Sequence, residues 1–577
     1  LAARLRIYYL TYICAGDTNK KNHSIKTQNK GNNKMSSHVF ARAPQLGAQR
    51  STFDRSHNLK TTLDVDKLYP IYVDEALPGD TVVMRQHLFG RLTTPLTPIM
   101  DSIYLDTFYF AVPLRLVDAN FKKFMGEKAL GDTTSAYVAP MLNTGSGVAF
   151  ESLYDYMGIP PGIANVEFNA WFPRAYNLIW NEFFRDENLV DEAPIAGVHS
   201  DGTVTTEALV DYVLRKRGKR HDYFTSCLPT PQLSGDVTVP IGSVAPVVGN
   251  GLTLGLTNGT TNTGLQGSAY ANNYSFGGVV GSYGAPVGSN TAASTTIIQS
   301  SLGVTTDPAK SGLVADLSSA SAATVNQLRE AFATQQLAEA WMRGGHRYTE
   351  ILRSCFQCIT PDSRLQRPEY LGGASVPLSV NTVAQTSEST ATSPLGNLAS
   401  FVTVSHDASF VKSFTEHCIV IGLANIRADL SYQQGLPRMF SRKTKFDFYW
   451  PQLATLGEMA VLNREIFCQG DSVVDASGNI VDAQPFGYQE RWAEYRYHPN
   501  MITGKMRSTD PQSLDVWHLA QKFNSLPTLN QTFIEEAVPI DRVVAVTDEP
   551  PFIVDGWFDC KWTRPMPLYS IPGLRRM

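Results

Sequence analysis

The sequence predicts a mainly β protein: one large β-domain whose first and last strands stand at opposite ends of the chain, with long excursions between them. Three observations carry this. Segments dense in β-formers occur near both ends. The chain holds 33 prolines, 43 glycines, 28 phenylalanines and 24 tyrosines, a composition suited to loops and strands and not to a helical bundle. Val237 to Thr306 runs for 70 residues without Asp, Glu, Lys or Arg, although the chain as a whole is 18% charged. At 577 residues and 43% hydrophobic, the chain can bury a sizeable core, as about three or four domains or as one β-domain with big loops.

At the start of the chain, residues 1–34 differ in character from the remainder. They carry Arg4, Arg6, Lys20, Lys21, Lys26, Lys30 and Lys34 against Asp17 alone, and end immediately before Met35. They read as an in-frame upstream extension, with Met35 as the start. A secretory signal over Leu5–Ala15 is the competing reading, weakened by Tyr8, Tyr9, Thr11 and Tyr12 inside its apolar core. The whole chain carries a net −4 and this segment +6, leaving −10 from Met35 onward. That balance excludes a globally basic nucleic-acid binder and leaves only local basic patches to meet a polyanion.

Met35 to Lys60, polar and holding Arg42, Arg50, Arg55 and Lys60 against Asp54, reads as an extended arm. Strand texture begins at Tyr69–Val73, resumes at Thr81–Phe89 after a Pro-Gly-Asp turn, and continues over Ile103–Leu116. It returns at Phe401–Val404, Cys418–Ala424 and Val543–Val546, the order expected of a β-barrel closed by first and last strands. Between lie two helices. Phe168, Trp171, Phe172, Ala175, Tyr176, Ile179, Trp180, Phe183 and Phe184 recur at spacings of three and four, a buried stripe with the regular helix starting at Pro173. Core packing accounts for these aromatics more simply than cofactor stacking. The second helix opens at a Thr324/Gln327 capping box and stops at Gly344-Gly345.

The uncharged run holds 13 glycines and short apolar pieces such as Val247-Val248 and Ile297-Ile298. It suits short β segments joined by tight turns, or partial disorder, inserted at a surface. A floppy linker between two domains is the plainer reading. Insertion there is tolerable because doubling a loop's length costs only about 0.6 kcal/mol.

Signatures of catalysis are missing: there is no Gly-x-Ser-x-Gly, no His-Glu-x-x-His and no phosphate loop. Cys355 and Cys358 have redox or zinc-like spacing without a second pair, and His346 is the nearest further ligand, so helix packing is the expectation. Seven cysteines without framework spacing suggest reduced thiols in a cytoplasmic setting. No cofactor or metal is implied, and no run of about 18 apolar residues foretells a membrane helix. Three basic clusters remain: Arg215–His221; Arg438, Arg442, Lys443 and Lys445; and Arg564, Arg575 and Arg576. Each is a solvated face or, with Tyr223, Phe224, Phe446, Phe448, Tyr449 and Trp450 nearby, a place where phosphates are neutralised and single-strand bases stacked.

Arg427–Pro451 (RADLSYQQGLPRMFSRKTKFDFYWP) closely resembles the major capsid protein of the Microviridae, in its gokushovirus branch. So do Lys219–Pro229 (KRHDYFTSCLP), Arg343–Arg353 (RGGHRYTEILR), Arg364–Gly373 (RLQRPEYLGG), Phe486–Tyr497 (FGYQERWAEYRY) and Arg564–Gly573 (RPMPLYSIPG). The resemblance extends from about Val39 to Gly573; residues 1–34 have no counterpart in it.

It implies an eight-stranded antiparallel jelly roll over 61–236 and 307–577 with large interstrand loops and a few short helices. A homo-oligomer of sixty copies would form a T=1 icosahedral shell around a circular single-stranded DNA genome. Viral scaffolding, pilot and DNA-packaging proteins would be partners, with assembly in the host cytoplasm and no membrane insertion. Val237 to Thr306 takes the place of a three-fold protrusion that meets a host surface receptor. DNA-facing charge is expected at Arg42, Arg50, Arg55, Arg575 and Arg576. Two readings from other classes stand against this: a β-rich glycan-binding adhesin, which would be a soluble monomer or trimer, and an enzyme using Cys355 and Cys358.

Overall fold

The computed structural model describes residues 49–128, 130, 138–195, 208–233, 237, 324–387 and 395–569, and, within 238–323, the backbone of five short strands. Two units divide the chain: Thr52–Arg564, and the two chain ends, of which 49–51 and 565–569 are described.

The principal strands are β1 (Ser51–Asp54), β2 (His57–Leu63), β3 (Tyr69–Ala76), β4 (Thr81–Leu92), β5 (Ile103–Pro113), β6 (Glu369–Pro377), β7 (Ser379–Ala384), β8 (Leu398–Ser413), β9 (Cys418–Ala428), β10 (Glu458–Leu462), β11 (Pro485–Glu490) and β12 (Phe552–Arg564). Hydrogen bonding sorts most of them into two antiparallel sheets. One runs β1–β12–β4–β8–β7, with β2 also paired to β12; the other runs β6–β5–β9–β3. β10 and β11 form a separate hairpin.

The first sheet has one dry face. β4 alternates strictly, with Val82, Met84, Gln86, Leu88 and Leu92 buried and Val83, Arg85, His87, Phe89 and Arg91 turned outward, the period-2 pattern of a half-buried strand. Its buried residues join Val404, Phe410, Val554, Phe558 and Trp562 of β8 and β12 in one core with Leu105, Tyr109, Val420 and Ile426 of the second sheet. The second sheet is covered twice. In β9 every residue except Arg427 is buried, because Ile419, Ile421 and Leu423 point away from the first sheet into a second core built on helix α1 (Trp171–Phe183). Each large apolar side chain so buried contributes about 1.5–3 kcal/mol.

Helix α1 begins two residues before Pro173, which therefore occupies the first turn, where the missing N–H would have had no partner. Its aromatics are core, and their polar tips are satisfied: Trp171 Nε1 donates to Asp118 at 2.9 Å, Tyr176 Oη to the Leu68 carbonyl at 2.9 Å and Trp180 Nε1 to the Lys216 carbonyl at 2.8 Å. Helix α2 (Val325–Gly344) has the expected capping box, with Thr324 Oγ1 accepting from the Gln327 N–H, and stops at Gly345 with φ 97°. Helix α3 (Tyr348–Phe356) follows at once. Arg347 ties this hairpin to the domain by donating from Nη2 to the Asn181 and Arg185 carbonyls at 2.7 and 3.0 Å, at the end of α1.

Two expectations fail. The barrel is not closed: among the described residues no ladder joins the two sheets, and the early strand β2 pairs with the late strand β12 inside one of them. Side chains, not backbone hydrogen bonds, fill the space between. Val543–Val546 is not a strand; Val543 and Val544 are buried just after a 3₁₀ turn, and only Val544 forms an isolated bridge, to Pro95. Burial in an irregular segment selects the same β-branched residues that a strand would.

Candidate functional site

The first basic cluster is neither a solvated face nor a free phosphate site. Arg217 Nη1 lies 2.5 Å from Asp106 on β5, and Arg427 Nη2 lies 2.7 Å from the same carboxylate oxygen. Arg220 pairs with Asp429 at 2.8 Å, and Lys219 is buried, donating to the Phe533 carbonyl and to Gln521. Burial, reinforced by Arg217, pulls the Arg427 guanidinium down to about 10. The cluster pins the outlying segment to the second sheet, as a buried network that would cost about 3–5 kcal/mol to break at one partner. Local sequence could not show this, since Asp106 lies more than a hundred residues upstream.

The second cluster divides. Arg438 and Arg442 turn inward to Glu465 at 3.0 Å and Glu494 at 3.3 Å, while Lys443 and Lys445 stand exposed. Around them Met439, Phe440, Phe446, Phe448, Tyr449 and Trp450 are all exposed, an apolar surface of the kind that marks interaction sites. In the third cluster Arg564 forms an ion pair with Asp80, Nε to Oδ2 at 3.1 Å, and stacks over Trp562.

Of the residues expected to face DNA, Arg42, Arg575 and Arg576 lie outside the described residues. Arg50 is exposed. Arg55 is engaged within the domain, 2.6 Å from Asp74 and 5.3 Å above the Trp562 ring. Most of Val237 to Thr306 also lies outside the described residues; the parts given are short antiparallel strands, Val247–Gly249 on Leu313–Ala315, and Gly255–Thr257 between Asn262–Gly264 and Gly303–Val304.

Cys355 and Cys358 are both exposed, so the packing expected of them is not found. Cys227, Cys418 and Cys560 are buried free thiols, each raised by burial. Among the described residues no group of three or more His, Cys, Asp or Glu side chains could hold a metal ion. Nor is any described helix long and apolar enough to cross a membrane.

Two antiparallel sheets sharing one core, long excursions tied down by buried ion pairs, and an exposed aromatic surface fit a subunit that others cover, as in a viral capsid. Residues 41–574 match the family described as capsid protein (F protein), and the chain belongs to that family. It is similar to capsid protein VP1 of Bdellovibrio phage phiMH2K, at 44% identity over 93% of this chain and 97% of that protein. Capsid protein VP1 of Chlamydia phage 1 is 42% identical over 93% and 98%, and that of Spiroplasma virus 4 is 36% identical over 92% and 96%. The chain is thus a major capsid protein of a Microviridae bacteriophage, a component of the virion.

Proposed function

We propose that the chain forms a closed T=1 icosahedral shell of sixty copies around a circular single-stranded DNA genome, without catalysis. What carries the capsid reading is the family match over nearly the whole chain. Within the subunit, β2–β12–β4–β8 and β6–β5–β9–β3 are read as the two halves of an eight-stranded jelly roll. Strand order supports this: along the chain β2, β4, β8 and β12 fall in one sheet and β3, β5, β6 and β9 in the other, as Greek-key windings require. Assembly in the host cytoplasm with scaffolding, pilot and DNA-packaging proteins belongs to the same proposal.

The insertion Val237 to Thr306 is proposed as the part that meets a host receptor. Its uncharged, glycine-rich composition supports a surface role, since loops positioned by a rigid scaffold carry recognition. Deleting 237–306 tests this: particles should still form while adsorption to host cells is lost. A deletion variant unable to fold would place the run in the core and overturn the attachment role. Sedimentation of the intact protein tests the shell, which predicts particles of fixed size; an adhesin would remain a monomer or trimer.

A further inference from the structure

The outer faces of the two sheets are not treated alike. That of the second sheet is covered by α1, whereas that of the first, on β12, β4 and β8, is bare among the described residues. An antiparallel sheet with one solvated face ordinarily turns polar side chains to water. This face instead presents Phe89 at 54% exposure, Trp557 at 46%, Ile553 at 60%, Val411 at 69% and Phe401 at 40%, and an apolar patch of that kind marks an interaction surface. Phe89 stands opposite Asp555 and Trp557 opposite His87. The two rings are therefore diagonal neighbours on adjacent strands, with Cα atoms about 7–8 Å apart.

Cations stand among these rings. Lys60, Arg85, Arg91 and Lys561 are exposed on the same face, and none of them forms an ion pair among the described residues. Against them are Asp555, Asp407, which His87 holds at 2.6 Å, and Asp559, which accepts from Ser56 Oγ at 3.4 Å. The core of a protein–protein interface is depleted of charge, whereas here Arg91 is the outward residue next to Phe89 on β4. Rings and cations on an open sheet suit an unpaired strand: phosphates are neutralised, and every base offers a π-face to aromatics on adjacent strands.

The position of the face agrees. The described chain leaves for the insertion at Leu233 and returns at Thr324, and both roots lie on α2. The Leu233 N–H donates to the Ala338 carbonyl at 3.4 Å, Gln335 bonds Gln232, and Thr324 caps the helix. The α2–α3 hairpin is held in turn to the end of α1, on the covered side of the second sheet. A wall of subunits that turns the insertion to the host therefore turns the bare face of the first sheet to the interior.

We propose that the bare face of the first sheet is a platform for single-stranded DNA, with bases stacked on Phe89 and Trp557 and phosphates held by Lys60, Arg85, Arg91 and Lys561. Stacking tolerates any base, so one such platform per subunit accepts whatever stretch of a genome lies against it. This deepens the capsid reading and rests on it.

The test is fluorescence anisotropy of a labelled dT homopolymer against the unassembled full chain over a series of salt concentrations, with particle formation scored in parallel by electron microscopy. Trp557→Ala and Phe89→Ala should each weaken binding by roughly 5- to 150-fold, the contribution of one stacked base, while Trp557→Phe, which keeps a π-face, should stay within about threefold of wild type. Arg85→Gln combined with Arg91→Gln should reduce the slope of log affinity against log salt by about 1.4, or about 0.7 for each phosphate contact. Tyr348→Ala, at an exposed ring on α3, should leave binding unchanged. Trp557→Ala and Phe89→Ala chains that bind as tightly as wild type overturn the proposal, as does an unchanged salt slope in the arginine pair. If those alanine chains bind DNA normally but no longer assemble, the face belongs to a second copy of this chain. Unchanged binding by the variants of a chain that forms particles sinks the platform alone; the expected losses in a chain that never forms particles support the platform and count against the shell.

Discussion

Tyr109→Phe is the most informative single change in the core. Tyr109 on β5 is fully buried, and its hydroxyl donates to Gln86 Oε1 on β4, also fully buried. Gln86 Nε2 in turn faces His406 Nδ1 at 3.2 Å, and His406 Nε2 lies 3.1 Å from the Ala374 carbonyl and 3.3 Å from Thr107 Oγ1. One hydroxyl therefore closes a polar chain that runs between the two sheets. Removing it loses a net bond of about 1 kcal/mol and strands the Gln86 oxygen in a dry core, a penalty of about 1–3 kcal/mol. We expect a loss of about 2 kcal/mol, against less than about 0.5 kcal/mol for Tyr495→Phe at a half-exposed position. Urea denaturation followed by tryptophan fluorescence measures both, with m unchanged if only stability moves. A Tyr109→Phe loss no larger than that of Tyr495→Phe would refute the claim that this contact couples the sheets.

The same geometry sets further outcomes. Gly422→Ala places a Cβ 2.5 Å from Tyr109 Cε1 and 2.9 Å from Tyr72 Cβ, so overpacking should cost about 1–3 kcal/mol in the same denaturation assay. Arg347→Ala removes the bonds that hold the α2–α3 hairpin to the end of α1; limited proteolysis should cut within 325–356 while the two sheets stay intact. Burial pushes the carboxyls of Asp66 up to about 6, of Glu187 up to about 7 and of Glu536 up to about 8, with the Glu350 carboxyl adding to the rise at Glu187 and Asp66 to that at Glu536. Because these acids hold protons more tightly folded than unfolded, their contribution is full below the ordinary carboxylate range and is lost as pH rises through those values. Thermal unfolding between pH 5 and pH 8 should show falling stability, and Glu536→Gln should flatten the upper part of that slope.

How much of this was legible in the sequence depended on whether the signal was local. The alternation of Thr81–Leu92, the aromatic stripe of α1 and the Thr324 cap are written within a few residues each, and the structure shows all three. Strand order is not local: Phe552 of β12 sits opposite Leu63 of β2 and Leu92 of β4, pairings that no window of neighbouring residues encodes. The same holds for charge. Arg217 and Arg427 look like spare cations until Asp106 is seen between them. Val543-Val544 misled because burial, not pairing, chose those residues. The exposed rings of Phe446–Trp450 were visible as stacking candidates, but Glu494 could not be singled out before Arg442 was found beside it.

The most direct measurement of the central claim is a cryo-electron microscopy reconstruction of nuclease-treated particles made by the chain together with its genome's neighbouring reading frames. The shell account predicts an icosahedral map with one copy per asymmetric unit, sixty in all, and nuclease-resistant single-stranded DNA inside. Small soluble species with unprotected DNA, when every assembly partner is present, would contradict it.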